Sequence, residues 1–111
     1  MQTSNFKRAG NHPKAVAICR SVPKGWTGIH DLDLAPTWKM LKAEYTKDDY
    51  RELILARLDP QKIFSKYQNA ILLCWEEPGK ECHRRYIAEW LERELRIKVP
   101  ELDYYPHPTL F

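Results

Sequence analysis

Two short apolar runs, Ala15 to Cys19 (AVAIC) and Ala70 to Trp75 (AILLCW), constrain this chain more than any other feature. Turn-forming residues bound the first, and the second runs out into a polar loop with Pro78 and Gly79. Both are too short for a helix, so each reads as a strand buried on both faces. Such strands belong to parallel sheets, whose members are joined by helical crossovers.

Helical patterns fill the interval between the two runs. Trp38, Leu41 and Tyr45 sit at helical spacing after Thr37, predicting a short helix from about Trp38 to Tyr45. Thr46 is an N-cap with Asp49 three residues on, and Tyr50, Leu53, Ile54 and Leu58 form one apolar face of a helix ending near Leu58. Asp59 and Pro60 restart the chain as N-cap and first-turn proline, with Ile63, Phe64 and Tyr67 as the buried side of another short helix.

Residues 1–13 read as a frayed end or as a short strand followed by a turn. Arg20 to Thr37 reads as a long loop, too apolar at Trp26, Ile29, Leu32 and Leu34 for simple disorder. At the far end, Ile97 to Val99 is expected to form a short edge strand stopped by Pro100, and LDYYPHPTLF to pack as an irregular tail.

A last helix opens at or near Cys82, His83 and Arg84. On a wheel of about 100° per residue, Ile87, Ala88, Trp90, Leu91 and Leu95 share one side, and His83 and Arg84 fall in the same arc. Both are therefore expected to point into the domain. Arg85, Glu89, Glu92, Arg93 and Arg96 fall opposite, which predicts ion pairs from Glu89 to Arg93 and from Glu92 to Arg96. Glu94 is the one charge that lands in the apolar arc.

The bulk properties fit a single α/β domain with a short, mostly parallel sheet flanked by helices and a site at the strand carboxyl ends. A chain of 111 residues is long enough for one core and too short for two. Its net charge of +3 has no dense basic block, which tolerates a phosphate-bearing partner without demanding one. Three cysteines are an odd number, and no segment is apolar enough to span a membrane, so a reducing, cytoplasmic setting is expected.

Ligands in open parallel sheets bind at the carboxyl ends of the strands. If the two apolar runs are neighbours, Cys19, Arg20 and Ser21 share a rim with Cys74, Glu76, Cys82, His83 and Arg84. Arg20, Ser21 and Arg84 are the candidate anion-binding groups, aided by the helix N-terminus. A thiol beside cations at a helix N-terminus loses its proton more readily, which makes Cys82 the candidate nucleophile. His83 and Glu76 are then candidates for proton transfer.

Cys19, Trp26 and Cys74 complete the possible pocket, although thiols in strand-like runs are more often core residues. Trp75 and Trp90 read as core. Cys74, Cys82 and His83 are three potential metal ligands, but their spacing is not that of paired CxxC knuckles. A histidine directly after a cysteine needs unusual geometry to reach the same ion, so no metal and no cofactor is expected.

The stretch LLCWEEPGKECHRRYIAEWLE, from Leu72 to Glu92, resembles the C-terminal signature of the domain of unknown function 488 family, whose strand ends in LLC and whose helix opens with CHR before AEWL. TSNFKRA, from Thr3 to Ala9, is similar to that family's TSxF start, and ICRSVPKGWTG with LAP at Leu34 to Pro36 is similar to its arginine-proline and LAP loop. The resemblance implies an open α/β sheet and site positions at Arg20, Cys74, Glu76, Cys82, His83 and Arg84. It implies no particular reaction. Where members often carry Asp or Ala before the arginine, this chain has Cys19, which raises the question of whether a third thiol joins the site.

Three functions follow from these residues. The leading one is a cysteine-dependent enzyme acting on an anionic small molecule or nucleotide. The others are a non-catalytic module binding nucleotide or nucleic acid through the same rim, and a structural or partner-binding protein in which Cys-His-Arg anchors the last helix.

Overall fold

The computed structural model describes residues 1–102, and the expected packing of the tail beyond Leu102 lies outside them. Four strands form one sheet, β1 (Gln2–Asn5), β2 (Ala15–Ala17), β3 (Ile29–His30) and β4 (Ile71–Cys74), in the order β1-β4-β2-β3. Every pairing is parallel. The two apolar runs are neighbours, with Val16 opposite Leu72 and Ala17 opposite Leu73.

The first residues are a strand, not a frayed end, because β4 needs a partner on its second edge. Thr3 pairs with Leu72 and Asn5 with Cys74. Asn5 then turns the chain into α1 (Phe6–Ala9), accepting from the Arg8 amide at 3.0 Å. Its Nδ2 donates to the Glu76 carbonyl at 3.2 Å, tying the ends of β1 and β4 together.

Alternation along β4 divides the interior. Leu72 and Cys74 face the larger cluster with Val16, Tyr50, Ile87 and Leu91, while Ile71 and Leu73 face a smaller one with Ala9, Ala15 and Trp26. Helices α2 (Trp38–Lys42), α3 (Lys47–Leu53), α4 (Pro60–Lys66) and α5 (His83–Leu95) follow the expected starts. Leu55–Arg57 winds as a separate 3-10 turn where one longer helix was expected. The loop from Arg20 to Thr37 is more ordered than its sequence suggests, since it holds β3 and a 3-10 turn at Leu32–Leu34.

Thr46 opens α3 with a capping box, its hydroxyl accepting from the Asp49 amide at 3.1 Å and the Asp49 carboxylate accepting from the Thr46 amide at 2.9 Å. Thr46→Ala is expected to lower stability by about 1 kcal/mol, read as an earlier midpoint in urea unfolding. A change below a few tenths would show that the helix does not depend on its cap.

Three expectations are corrected. Residues 97–99 form no strand; the C-terminal segment reaches the sheet later, at Glu101, where the Thr3 amide donates to the Pro100 carbonyl and the Leu102 amide to the Thr3 carbonyl. Trp75 is half exposed rather than core, because it lies just past the end of β4. The two predicted ion pairs on α5 are replaced by tertiary contacts: Glu89 pairs with Lys47 at 2.7 Å, and Glu92 accepts a hydrogen bond from the Val99 amide at 2.9 Å. Glu94, the outlier of the wheel, is exposed.

Candidate functional site

β4 ends at Cys74 and α5 begins at His83, with Cys82 as its N-cap. The Cys82 backbone is extended, φ −160° and ψ 146°, so its side chain escapes the helical rule that keeps adjacent residues apart. Its Sγ comes within 3.8 Å of His83 Nδ1. The unusual geometry that a Cys-His dipeptide needs is thus supplied by the cap.

His83 is buried, with Nε2 2.6 Å from the Ile18 carbonyl oxygen. A carbonyl only accepts, so Nε2 carries a proton and is committed to Ile18, which leaves Nδ1 to face the other groups around the ring. Around that nitrogen lie Tyr45 Oη at 3.4 Å, Cys74 Sγ at 3.5 Å and Cys82 Sγ at 3.8 Å. Cys74 Sγ is also 3.3 Å from Nε2, so the sulfur sits against the ring rather than in line with one nitrogen. Tyr50, fully buried on α3, packs its ring 5.5 Å from the imidazole and donates to the Leu34 carbonyl at 2.6 Å.

The two thiols diverge. Burial by itself would raise Cys82, but hydrogen bonding to Cys74 and His83 outweighs it and brings that thiol down to about 4. Burial pushes Cys74 well up, and the neighbouring Cys82 charge adds to the effect. Glu76 is likewise raised, first by burial and then by Cys82, which suits a carboxyl that carries a proton.

Arg84 is fully buried, yet its guanidinium is largely claimed. Nε meets Glu101 Oε1 at 3.0 Å and Nη2 meets Glu101 Oε2 at 2.7 Å. Among the described residues Nη1 makes no hydrogen bond, and it lies 4.0 Å from the Glu76 carboxylate, so this end of the cation faces Glu76. Arg85, expected on the solvent side, instead donates from Nη1 to Thr3 Oγ1 and the Val99 carbonyl, both at 2.8 Å.

A cleft of about 150 Å³ opens at the strand carboxyl ends, lined by Cys19, Arg20, Ser21, Pro36, Leu41, Tyr45, Trp75, Glu76 and His83. Of the rim read from the sequence, Cys19, Arg20, Ser21, Glu76 and His83 share this surface, while Cys74 and Arg84 are buried away from it. Cys82 faces a neighbouring hollow of about 200 Å³ beside Gly79, Arg85, Tyr86 and Glu101. A larger hollow, about 580 Å³, lies at the other end of the sheet beside Lys14, Asp31, Tyr67 and Ala70, away from the thiols.

Arg20 lines the cleft but spends Nε on the Pro36 carbonyl at 3.0 Å and Nη2 on the Ala35 carbonyl at 3.4 Å, pinning the Leu34 to Pro36 loop. The Ser21 carbonyl accepts from Trp75 Nε1 at 2.9 Å. Cys19 donates its thiol to the same carbonyl at 3.0 Å, and burial pushes it up to about 11. The third thiol thus lines the cleft without entering the Cys74, Cys82 and His83 cluster. Trp26 stands elsewhere, its Nε1 donating to the Gly10 carbonyl at 2.8 Å and its ring edge-on to Phe6.

Sequence reasoning missed Tyr45 and Glu101. Tyr45 read as an apolar helix position, and only the fold brings its hydroxyl to His83. Glu101 lies seventeen residues beyond Arg84 in a segment without periodicity, and no local pattern marks it as the partner. No family model, curated protein or solved structure matches this chain.

Proposed function

We propose that this domain is a cysteine-dependent enzyme acting on a small phosphate-bearing molecule, with Cys82 as nucleophile. The observation that carries the reading is the placement of Cys82 Sγ at the N-terminus of α5, 3.8 Å from a His83 ring held by the Ile18 carbonyl. Arg84 Nη1 is a buried cation 4.0 Å from Glu76. A helix N-terminus and a guanidinium both favour the thiolate and an incoming anion.

In the proposed step the Cys82 sulfur attacks phosphorus and the bond to the leaving oxygen breaks, with Glu76 giving its proton to that oxygen. Water, deprotonated by Glu76, then cleaves the sulfur–phosphorus bond, returning the thiolate and releasing phosphate. The hollow of about 200 Å³ that Cys82 faces is below the roughly 300–1,000 Å³ that drug-sized ligands occupy, so a phosphate-sized group fits there.

Kinship with the domain of unknown function 488 family rests on the residues of Leu72 to Glu92 and of the N-terminal and LAP segments alone. For Arg84, the fork on Glu101 favours the structural reading, in which this residue anchors α5 and only polarises the site from behind.

The test is protection. In metal-free protein, inorganic phosphate and AMP are expected to slow iodoacetamide labelling of Cys82, located by peptide mass spectrometry. Cys82→Ser is expected to abolish turnover of any phosphate monoester the wild type hydrolyses. Unchanged labelling in saturating phosphate would remove the anion from the proposal, and turnover surviving Cys82→Ser would remove the nucleophile.

A further inference from the structure

We propose that Cys74, Cys82 and His83 bind one zinc ion, with a fourth position open toward the cleft at the strand ends. The site shares residues with the proposed nucleophile but does not rest on that reading. A bound ion would hold the Cys82 sulfur and silence it reversibly.

The geometry is that of a partial tetrahedron. All three ligand atoms lie within 4.8 Å of one another and all three residues are buried. Zinc–sulfur bonds of about 2.3 Å and zinc–nitrogen bonds of about 2.0–2.1 Å set sulfur-to-nitrogen edges of about 3.6 Å. The edges to Nδ1 are 3.5 Å from Cys74 and 3.8 Å from Cys82. Closing the site asks Cys74 Sγ to move from beside the ring into line with Nδ1.

A second observation is independent of the thiols. Metal-bound histidines donate their other ring N–H to a carbonyl or carboxylate, which fixes the tautomer and aims the free nitrogen. His83 does this through the Ile18 carbonyl at 2.6 Å, leaving Nδ1 to the two sulfurs. Charge agrees as well. Two thiolates and a divalent ion sum to zero, which suits a buried position better than two bare thiolates facing each other. Two sulfurs and one imidazole are a donor set that favours zinc over magnesium or calcium. Glu76 and Tyr45, on the cleft side, flank the remaining position.

Cobalt is the spectroscopic probe. Full-length protein, reduced and freed of metal with a chelator, is titrated with Co²⁺ and then with Zn²⁺. One ion per chain is expected, with a sulfur-to-cobalt charge-transfer band that zinc bleaches. Cys74→Ser is expected to halve that band and weaken binding at least tenfold, while Cys19→Ser changes neither. No charge-transfer band, or equal effects of Cys19→Ser and Cys74→Ser, would overturn the site.

If Cys74→Ser does not fold, wild-type protein supplies the second measurement. Saturating zinc is expected to block iodoacetamide at Cys82, and undiminished labelling there would overturn the proposal. Phosphate protection is measured without metal, so a failure of zinc binding leaves the nucleophile to its own test.

Discussion

Replacing Glu101 by glutamine is expected to destabilise the fold by about 3–5 kcal/mol, the range for breaking a buried ion pair by removing one partner. Arg84 is fully buried and Glu101 is its fork partner, through Nε at 3.0 Å and Nη2 at 2.7 Å. The amide keeps the shape and removes the charge, so the guanidinium is left buried without its counterion. Thr3 Oγ1 also donates to Glu101, which means the change loosens the β1 edge together with the start of α5. Urea unfolding of the two proteins at pH 7 measures the difference, and a loss under 1 kcal/mol would show that Arg84 finds another partner.

The same pair sets an acid limb. Burial would raise the Glu101 carboxyl, but Arg84 outweighs it and holds that carboxyl below its ordinary value. The unfolded chain therefore binds the proton more readily than the native state. Stability from this group is complete above the ordinary carboxylate value of about 4.3 and fades as pH falls through the lower native value. Wild type should lose its advantage over Glu101→Gln in that acid window. An advantage constant from pH 7 to pH 3 would assign the stability to something other than this carboxylate.

Alkylation of Cys82 in metal-free protein is expected to be nearly independent of pH between 5.5 and 7.5, changing by less than about twofold. An ordinary thiol, with a pKa of about 8.5, loses about a hundredfold of its thiolate over the same interval. Hydrogen bonding to Cys74 and His83 keeps Cys82 deprotonated well below this range. The slope is the signature and the absolute rate is not, because nucleophilicity falls along with thiol pKa and Cys82 is only 3% exposed. Cys19, raised by burial, is the internal control whose labelling should climb with pH. Parallel slopes for Cys82 and Cys19 would mean that Cys82 is an ordinary buried thiol.

Much of this architecture was legible without coordinates. Ala15 to Cys19 and Ala70 to Trp75 announced parallel neighbours because short runs without alternation are buried on both faces, and the two strands do pair, Val16 opposite Leu72. Thr46 with Asp49, and Asp59 before Pro60, marked helix starts because capping depends on residues three apart or fewer. The wheel turned His83 and Arg84 inward because a helical period is a local property, and both are buried.

Contacts between distant segments were not legible. Glu89 and Glu92 have arginines at the right spacing on their own helix, yet Lys47 and the Val99 amide take them because packing brings those groups closer. Cys74 read as a plain core thiol, since nothing in ILLC distinguishes a strand-end sulfur that meets an imidazole from one that meets leucine. The sequence by itself determined the two buried strands and the helix starts, each carried by neighbours within one or two turns of chain. Only the tertiary structure decided that an extended N-cap would swing Cys82 onto His83, that Ile18 would hold the ring, and that Glu101 would claim Arg84. Those contacts depend on how separate segments cross in space, which local patterning does not encode.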